Sequence, residues 1–286
     1  MPDFGRSGPF AVAIDDGEWH DGSRDRTLRW RRYRPRDAGP HPVVVHSHGL
    51  GGSRASGADW LAHWASWGIA GIAVQHPGTD RDALASADSP LALRPLLRSA
   101  VDARQLALRQ HDLMFAIDCI ACENPPAIGI SGHSYGAVSA MRLLGERRGL
   151  DDCPADTRIA AAVLFSPSAR GGHRPLDERF SDIALPCLHL TGTRDDGIGP
   201  GDIRAADRCL PFTHGVAPDQ YLLVLDEATH PELAGDGLAP PDRAHALRAV
   251  SCVFWLAHLR REPEATRHLR EQCAATLETL GCWSLR

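Results

Sequence analysis

The feature that most constrains the fold of this 286-residue chain is an alternation of strand-like and helix-like segments. Short apolar runs such as 42–47 (PVVVHS) and 71–76 (GIAVQH) are typical of strands buried on both faces of a sheet. This order indicates a mostly parallel sheet covered by helices. The predicted strands are 9–14, 27–33, 42–47, 71–76, 127–131, 159–166, 185–192 and 221–226; the predicted helices are 53–67, 103–121, 135–149, 202–209, 242–261 and a segment near 263–279.

A serine lies between two glycines where the fifth predicted strand gives way to a helix. Residues 132–136 read G-H-S-Y-G and follow the apolar run AIGIS. A G-x-S-x-G sequence permits a sharp strand-to-helix turn that exposes the serine at the carboxyl end of the sheet, where ligands bind in open α/β folds. The motif alone is also compatible with a simple glycine-rich turn. Its strand-turn-helix context favours Ser134 as a nucleophile.

A nucleophilic serine needs a base and an acid that orients the base, and in this architecture they follow in the order Ser, Asp or Glu, His. The sequence offers both in that order. The adjacent acids Asp195 and Asp196 follow a predicted strand, and His230 lies in the loop after the last apolar strand. Since the chain has 15 histidines, it is this position that singles out His230.

A second glycine-rich segment follows the third predicted strand. Residues 48–52 (HGLGG) have the form of the H-G-x-G loop that presents a backbone N–H to an oxyanion. Alone this is another glycine-rich turn, but it precedes the serine motif in the required order. We expect the N–H groups of Leu50 and Tyr135 to be the donors, each contributing roughly 2.7–4 kcal/mol, with their side chains facing the substrate.

Composition excludes several classes of function. A chain of 286 residues fits one large core, so 1–286 is expected to be a single domain. Its 31 basic and 36 acidic residues give a net charge of −5, and the absence of a long basic run argues against nucleic acid as a partner. Every basic residue is arginine, which excludes lysine Schiff bases, Ser-Lys dyads and P-loop lysines.

Cysteine usage and hydropathy suggest a cytoplasmic protein. Residues 1–20 lack the apolar core of a signal peptide, and no run approaches the roughly 18 apolar residues that span a bilayer. The eight dispersed cysteines are expected to be reduced, and Cys119 and Cys122 to be two thiols on one helix. We expect no cofactor and no metal; His46 and His48, the best candidate ligand pair, lack a third ligand and are interpreted as scaffolding of the oxyanion loop.

Seven segments resemble serine α/β-hydrolases in the same order, specifically the platelet-activating-factor acetylhydrolase-like and dienelactone-hydrolase-like esterases and, more distantly, the polyester-degrading cutinases. They are WHDGSRDRTLRWRRYRP, PHPVVVHSHGLGGSR, GIAVQHPGTD, RQHDLMFAIDCI, GISGHSYGAVSA, LHLTGTRDD and EATHPELAG. The resemblance implies an α/β-hydrolase fold with about eight strands, helices on both faces and no large lid domain. It also implies Ser134 as nucleophile, His230 as base and an acid at Asp195 or Asp196; DDGIGP resembles the family pattern that favours Asp196.

The chain also departs from these families. Dienelactone hydrolases proper use a cysteine nucleophile, whereas this position holds Ser134. Cutinases of the polyester-degrading type place a tryptophan after the sixth strand, and the matching stretch FSPSARGGHRPLDERF has none. Polyester cleavage is therefore not expected, and the shortness of this loop predicts an open site.

These features predict a serine esterase that forms an acyl-enzyme and acts on small-molecule, short-acyl esters. A noncatalytic ligand-binding protein of the same fold is the alternative, and acyltransferases, thioesterases and amidases use the same parts. Residues 79–105 are partly amphipathic but interleaved with arginine and aspartate, which favours a surface connection over a lid. We therefore expect acetyl to butyryl esters to be preferred; the oligomeric state is not predicted.

Overall fold

The computed structural model describes residues 2–37, 39–85, 102–149, 152, 154–197 and 203–286. Within these ranges one sheet contains nine strands. They are β1 (Val12–Asp21), β2 (Arg26–Pro35), β3 (Val43–Ser47), β4 (Ala70–Val74), β5 (Ile128–His133), β6 (Ile159–Phe165), β7 (Cys187–Arg194), β8 (Gln220–Thr229) and β9 (Gly281–Leu285). Each predicted strand corresponds to one of β1 to β8, so the predicted sheet is confirmed. The edge strand β9 was not predicted.

The strand order is β1-β2-β4-β3-β5-β6-β7-β8-β9. Neighbours from β4 to β8 pair in parallel, whereas the β1–β2, β2–β4 and β8–β9 pairs are antiparallel. Because β3, β5, β7 and β8 run in one direction, the segments that follow them meet at the same edge of the sheet. These segments carry the residues singled out by the sequence.

Helices cover both faces of the sheet. They are α1 (Ala58–Ser66), α2 (Arg81–Ala85), α3 (Ala103–Ala121), α4 (Tyr135–Leu143), α5 (Leu176–Arg179), α6 (Leu210–His214), α7 (Pro241–His258), α8 (Pro263–Arg267) and α9 (Cys273–Leu277), with 3₁₀ turns at Ala205–Cys209 and His230–Ala234 and a π turn at His268–Gln272. Helix α3 has the predicted bounds. Helix α4 is shorter than predicted because Gly145 adopts a φ of 105°, which ends a helix rather than continuing it.

Two apolar layers hold the sheet. On one face α1 and α7 pack on the sheet through a buried aromatic cluster, in which the Trp60 ring stacks on Phe165 with centroids 5.6 Å apart. On the other face α3 and α4 supply buried aliphatic residues, among them Leu113 and Met141. Burial of both faces explains why the central strands are short and continuously apolar.

Among the described residues, no helix is long and apolar enough to cross a membrane. The described cysteines form no disulfide. Residues 86–101 lie outside the described ranges and include most of the leucines of the segment 79–105. The interpretation of that segment as a surface connection therefore stays a prediction.

Candidate active site

Ser134 lies on a strained corner between β5 and α4. Its φ of 53° and ψ of −116° are unfavourable for a residue with a side chain, at a cost of about 1–3 kcal/mol. Its N–H donates to the Phe165 carbonyl at 2.9 Å, which holds the corner against β6. A Cβ at Gly136 would overlap the Ser47 carbonyl, and one at Gly132 would overlap the backbone of Gly136. Both glycines of the motif are therefore required by close backbone approach.

His230 follows β8 and begins a 3₁₀ turn. The turn is capped by Thr229, whose hydroxyl donates to Glu232 at 2.9 Å, and Glu232 accepts from Arg243 Nε at 2.7 Å. This support places His230 Nε2 2.9 Å from Ser134 Oγ. The side chain of His230 is 11% exposed, so the hydrogen bond to Ser134 is largely shielded from water.

The acid that faces His230 is Asp195, whereas the sequence analysis favoured Asp196. Asp195 Oδ1 lies 2.6 Å from His230 Nδ1, and Thr191 Oγ1 donates to Asp195 Oδ2 at 2.7 Å. The carboxylate of Asp195 is fully buried. Asp196 is exposed, and its Oδ1 accepts from the Ala205 N–H at 2.9 Å. The physical reason is a turn after β7, closed by the Asp195 N–H on the Gly192 carbonyl at 3.2 Å, which directs the first acid inwards.

A buried arginine that the sequence did not single out lies beside this pair. Arg208, in the 3₁₀ turn Ala205–Cys209, is 2% exposed. Its Nε donates to the Asp195 carbonyl at 3.2 Å, and its Nη2 lies 3.2 Å from His230 Nδ1. One basic residue among 31 carries no signal of burial, so sequence reasoning had no means of finding it.

His133, the residue before the serine, is a second contact that was missed. Its ring lies against the His230 ring with centroids 4.7 Å apart, and its Nε2 donates to the His230 carbonyl at 3.2 Å. Burial, and then the proximity of His230, hold the pKa of His133 well below its usual value, so the ring is neutral. The signal was available, because the residue before the serine in G-x-S-x-G must flank the site.

The loop after β3 lies opposite the helix that begins at Tyr135. The Gly51 N–H donates to the Thr79 carbonyl at 2.9 Å and the Gly52 N–H to the Gly49 carbonyl at 3.1 Å. Within the described ranges the intervening Leu50 N–H has no protein acceptor. Tyr135 opens α4, so its N–H has no acceptor within the helix either. Two backbone donors therefore remain at the edge of the sheet near Ser134.

Arg109 forms hydrogen bonds with both segments that carry these donors. It is fully buried on α3, and it donates to Ser47 Oγ at 2.9 Å, to Ser139 Oγ at 2.9 Å and to the His48 carbonyl. Its guanidinium also lies 4.8 Å from the centre of the Tyr135 ring. Burial lowers the pKa of Arg109 to about 10, which still leaves it charged at neutral pH. This arginine was not predicted either.

Each of the two histidines considered as metal ligands has a hydrogen-bond partner in the protein for at least one ring nitrogen. His48 Nδ1 lies 2.6 Å from the Gly49 carbonyl, and His48 Nε2 accepts from the His76 N–H at 3.0 Å. His46 Nδ1 lies 3.2 Å from Ser131 Oγ. Over the part of the chain that the structure describes, no group of three or more His, Cys, Asp or Glu side chains could hold a metal ion.

A cavity of about 770 Å³ opens beside Ser134 and His230. Its wall is formed mostly by small residues of the loop after β3, the start of α1 and the turn at 231–237. Among the described residues, the apolar side chains are those of Leu50, Ala55, Ala58, Pro231 and Ala234, and the charged ones are Asp59, Arg81 and Asp236. Burial raises the pKa of Asp236, whose Oδ1 accepts from the Gly57 N–H at 2.9 Å.

Part of the chain is similar to a family of serine hydrolases. A family model described as "Serine hydrolase (FSH1)" matches residues 102–209, a stretch that contains Ser134 and Asp195 but ends before His230. A search of curated proteins returned no match. The platelet-activating-factor acetylhydrolase-like and dienelactone-hydrolase-like resemblance therefore stays a prediction.

Solved structures of a cold-adapted esterase from an Arctic intertidal metagenomic library are similar in fold. The native structure is 17% identical, with 87% of this chain and 94% of that chain covered and a TM-score of 0.60. A PEG-bound complex is also 17% identical, with 85% and 93% covered and a TM-score of 0.61. The chain has the α/β-hydrolase fold.

Proposed function

We propose that this protein is a serine hydrolase that cleaves carboxylic esters through an acyl-enzyme. The observation that carries the proposal is the continuous chain of contacts from Asp195 through His230 to Ser134, at 2.6 and 2.9 Å. The serine sits on a strained corner that exposes its hydroxyl, and a cavity opens beside it. Strain of this kind is characteristic of functional positions.

Asp195 sets the tautomer of His230. A carboxylate 2.6 Å from Nδ1 requires a proton on that nitrogen, which leaves the Nε2 lone pair facing the Ser134 hydroxyl. Thr191 satisfies the second carboxylate oxygen, so the buried acid is held in one orientation. The imidazole is therefore arranged to accept a proton from serine.

The reaction proceeds in two halves. His230 Nε2 takes the Ser134 proton as Oγ bonds to the ester carbonyl carbon, and the Leu50 and Tyr135 N–H groups stabilise the resulting oxyanion. The intermediate collapses, the C–O bond to the alcohol breaks, and His230 returns its proton to the departing alcohol. Water then attacks the acyl-enzyme with the same histidine as base, which releases the acid and restores Ser134.

The lining of the cavity favours esters with short acyl groups as substrates. Among the described residues Leu50 is the largest apolar side chain of the wall and five lining residues are glycines, so a long acyl chain meets few apolar side chains there. A methylene buried in full contact contributes about 0.8 kcal/mol, and one that stays in water contributes almost nothing. We therefore propose that kcat/KM is highest for acetyl to butyryl esters, without activation at a lipid interface.

The test is hydrolysis of p-nitrophenyl esters of increasing acyl length by the wild type and Ser134→Ala. By analogy with a dissected triad, Ser134→Ala should lower kcat by about 10⁶. Ser181→Ala is a matched control, because that hydroxyl binds the Glu178 carbonyl and does not line the cavity. Equal turnover by the wild type and Ser134→Ala would favour the noncatalytic alternative, and a rate still rising at decanoyl would show a deep apolar site.

A further inference from the structure

Arg208 places a positive charge behind the acid and base of the site. The nearest atoms of Arg208 and the Asp195 carboxylate, Nε and Oδ1, are 3.5 Å apart. The side chains of Arg208 and Asp195 are 2% and 0% exposed. Since an uncompensated buried carboxylate is costly, the guanidinium offsets the burial of Asp195. Arg208 does not line the cavity beside Ser134, so it has no direct route to a substrate.

The protonation of His230 Nδ1 decides whether Arg208 can form a hydrogen bond with it. Arg208 Nη2 and Asp195 Oδ1 both lie within hydrogen-bond distance of His230 Nδ1. A nitrogen that donates its proton to a carboxylate has no lone pair left to accept from a guanidinium. The contact with Asp195 at 2.6 Å is shorter than that with Arg208 at 3.2 Å, so Nδ1 is the donor to Asp195. Two hydrogen bonds of Arg208 to described residues go instead to backbone oxygens.

Those backbone oxygens belong to two strand ends. Nε donates to the Asp195 carbonyl at 3.2 Å, beyond β7, and Nη1 donates to the Ser166 carbonyl at 3.0 Å, beyond β6. Ser166 follows Phe165, whose carbonyl accepts from the Ser134 N–H. One guanidinium thus connects the segment that carries the acid with the segment that supports the nucleophile.

We propose that Arg208 is a positioning residue of the site, which fixes the turn after β7 so that Asp195, and not Asp196, meets His230. The proposal rests on the proposed function. Without Arg208, the Asp195 carboxylate loses the positive charge beside it, and the backbone carbonyl of Asp195 loses the hydrogen bond that Arg208 Nε donates. The acid then orients His230 less well, which slows the activation of Ser134 and leaves substrate binding unchanged.

The experiment is a double-mutant cycle between Arg208→Gln and Asp195→Asn. The readouts are kcat and KM for p-nitrophenyl acetate and the rate at which a fluorophosphonate labels Ser134. In the wild-type background Arg208→Gln should lower kcat and the labelling rate by about 10- to 100-fold, the size expected for lost hydrogen bonds to a charged group. KM should stay within about twofold. In the Asp195→Asn background the same change should have almost no effect, because the carboxylate that Arg208 holds is absent.

Two further variants separate positioning from folding. Arg208→Lys keeps a buried positive charge and should recover part of the lost rate. If circular dichroism shows that Arg208→Gln does not fold, Arg208→Lys takes its place in the double-mutant cycle. Arg179→Gln is the matched control, because Arg179 is equally buried and donates to Glu146 at 2.6 Å and to the Ala169 carbonyl at 2.5 Å, away from His230. Its effect should be the same with Asp195 and with Asn at that position.

The outcomes are distinct. Equal losses from Arg208→Gln in both backgrounds, or a change confined to KM, would overturn the positioning role while leaving the serine hydrolase intact. A wild type whose Ser134 is not labelled by the fluorophosphonate would contradict the proposed function and the role of Arg208 together.

Discussion

The identity of the acid gives the sharpest prediction, because two adjacent aspartates occupy different environments. In Asp195→Asn we expect the amide oxygen to face Thr191, whose hydroxyl donates to the Oδ2 position at 2.7 Å in the wild type. The amide NH₂ then faces His230 Nδ1, where the carboxylate now accepts at 2.6 Å. His230 would be held with its proton on Nε2, facing Ser134, and could not act as a base. The same reversal lowers kcat by about 10⁴ in a serine protease triad, which corresponds to about 5.4 kcal/mol.

Asp196→Asn is the matched control. Asp196 is exposed, and the hydrogen bond that its carboxylate accepts from the Ala205 N–H can be accepted equally by the oxygen of asparagine. We expect kcat to change by no more than about twofold, as for other surface substitutions. The assay is p-nitrophenyl acetate hydrolysis at a temperature where circular dichroism shows both variants folded. A larger loss from Asp196→Asn than from Asp195→Asn would refute the assignment of the acid.

Three further predictions follow from buried groups. Burial lowers the pKa of His46 to about 3 and the pKa of His76 and His189 to about 4, from a usual value of 6.5. At a pH between the lowered pKa and 6.5, the unfolded chain therefore binds more protons than the folded chain. The free energy of unfolding from urea titrations should therefore fall as pH drops from 6.5 towards 4, by up to about 1.4 kcal/mol per pH unit for each such site; a value independent of pH would contradict this. Gly136→Ala should prevent folding or turnover, because its Cβ would overlap the Ser47 carbonyl, whereas Gly22→Ala meets no atom within 4 Å and should leave thermal unfolding unchanged. His133→Ala should lower kcat more than His133→Phe, because only phenylalanine keeps a ring against His230; equal losses would assign the effect to the hydrogen bond alone.

The sequence sufficed for the fold and for the approximate place of the site. Continuous apolar runs mark several of the buried strands, and segments corresponding to β1 to β8 were all predicted. The strand β9 was missed because GCWSL is short, partly exposed at the edge of the sheet and lacks a continuous apolar run. Ser134 and His230 were selected by position relative to strands, and the structure brings their side chains together.

The parts that the sequence did not predict depend on contacts between distant segments. Whether Asp195 or Asp196 points inwards is decided by the turn that the Gly192 carbonyl closes, and two adjacent acids give no pattern from which to read it. Arg109 and Arg208 are buried by packing against other elements, while their residue type predicts exposure. The buried polar framework of the site is thus a property of the tertiary structure.

Labelling by a fluorophosphonate, mapped by peptide mass spectrometry, shows whether Ser134 is an activated nucleophile. The probe bonds to a serine only when a base activates it, and the adduct does not depend on knowing the natural ester. We expect one adduct in the wild type, on the peptide that contains Ser134, and none in Ser134→Ala or His230→Ala. An adduct on another residue, or labelling of Ser134 that persists in His230→Ala at the wild-type rate, would contradict this expectation.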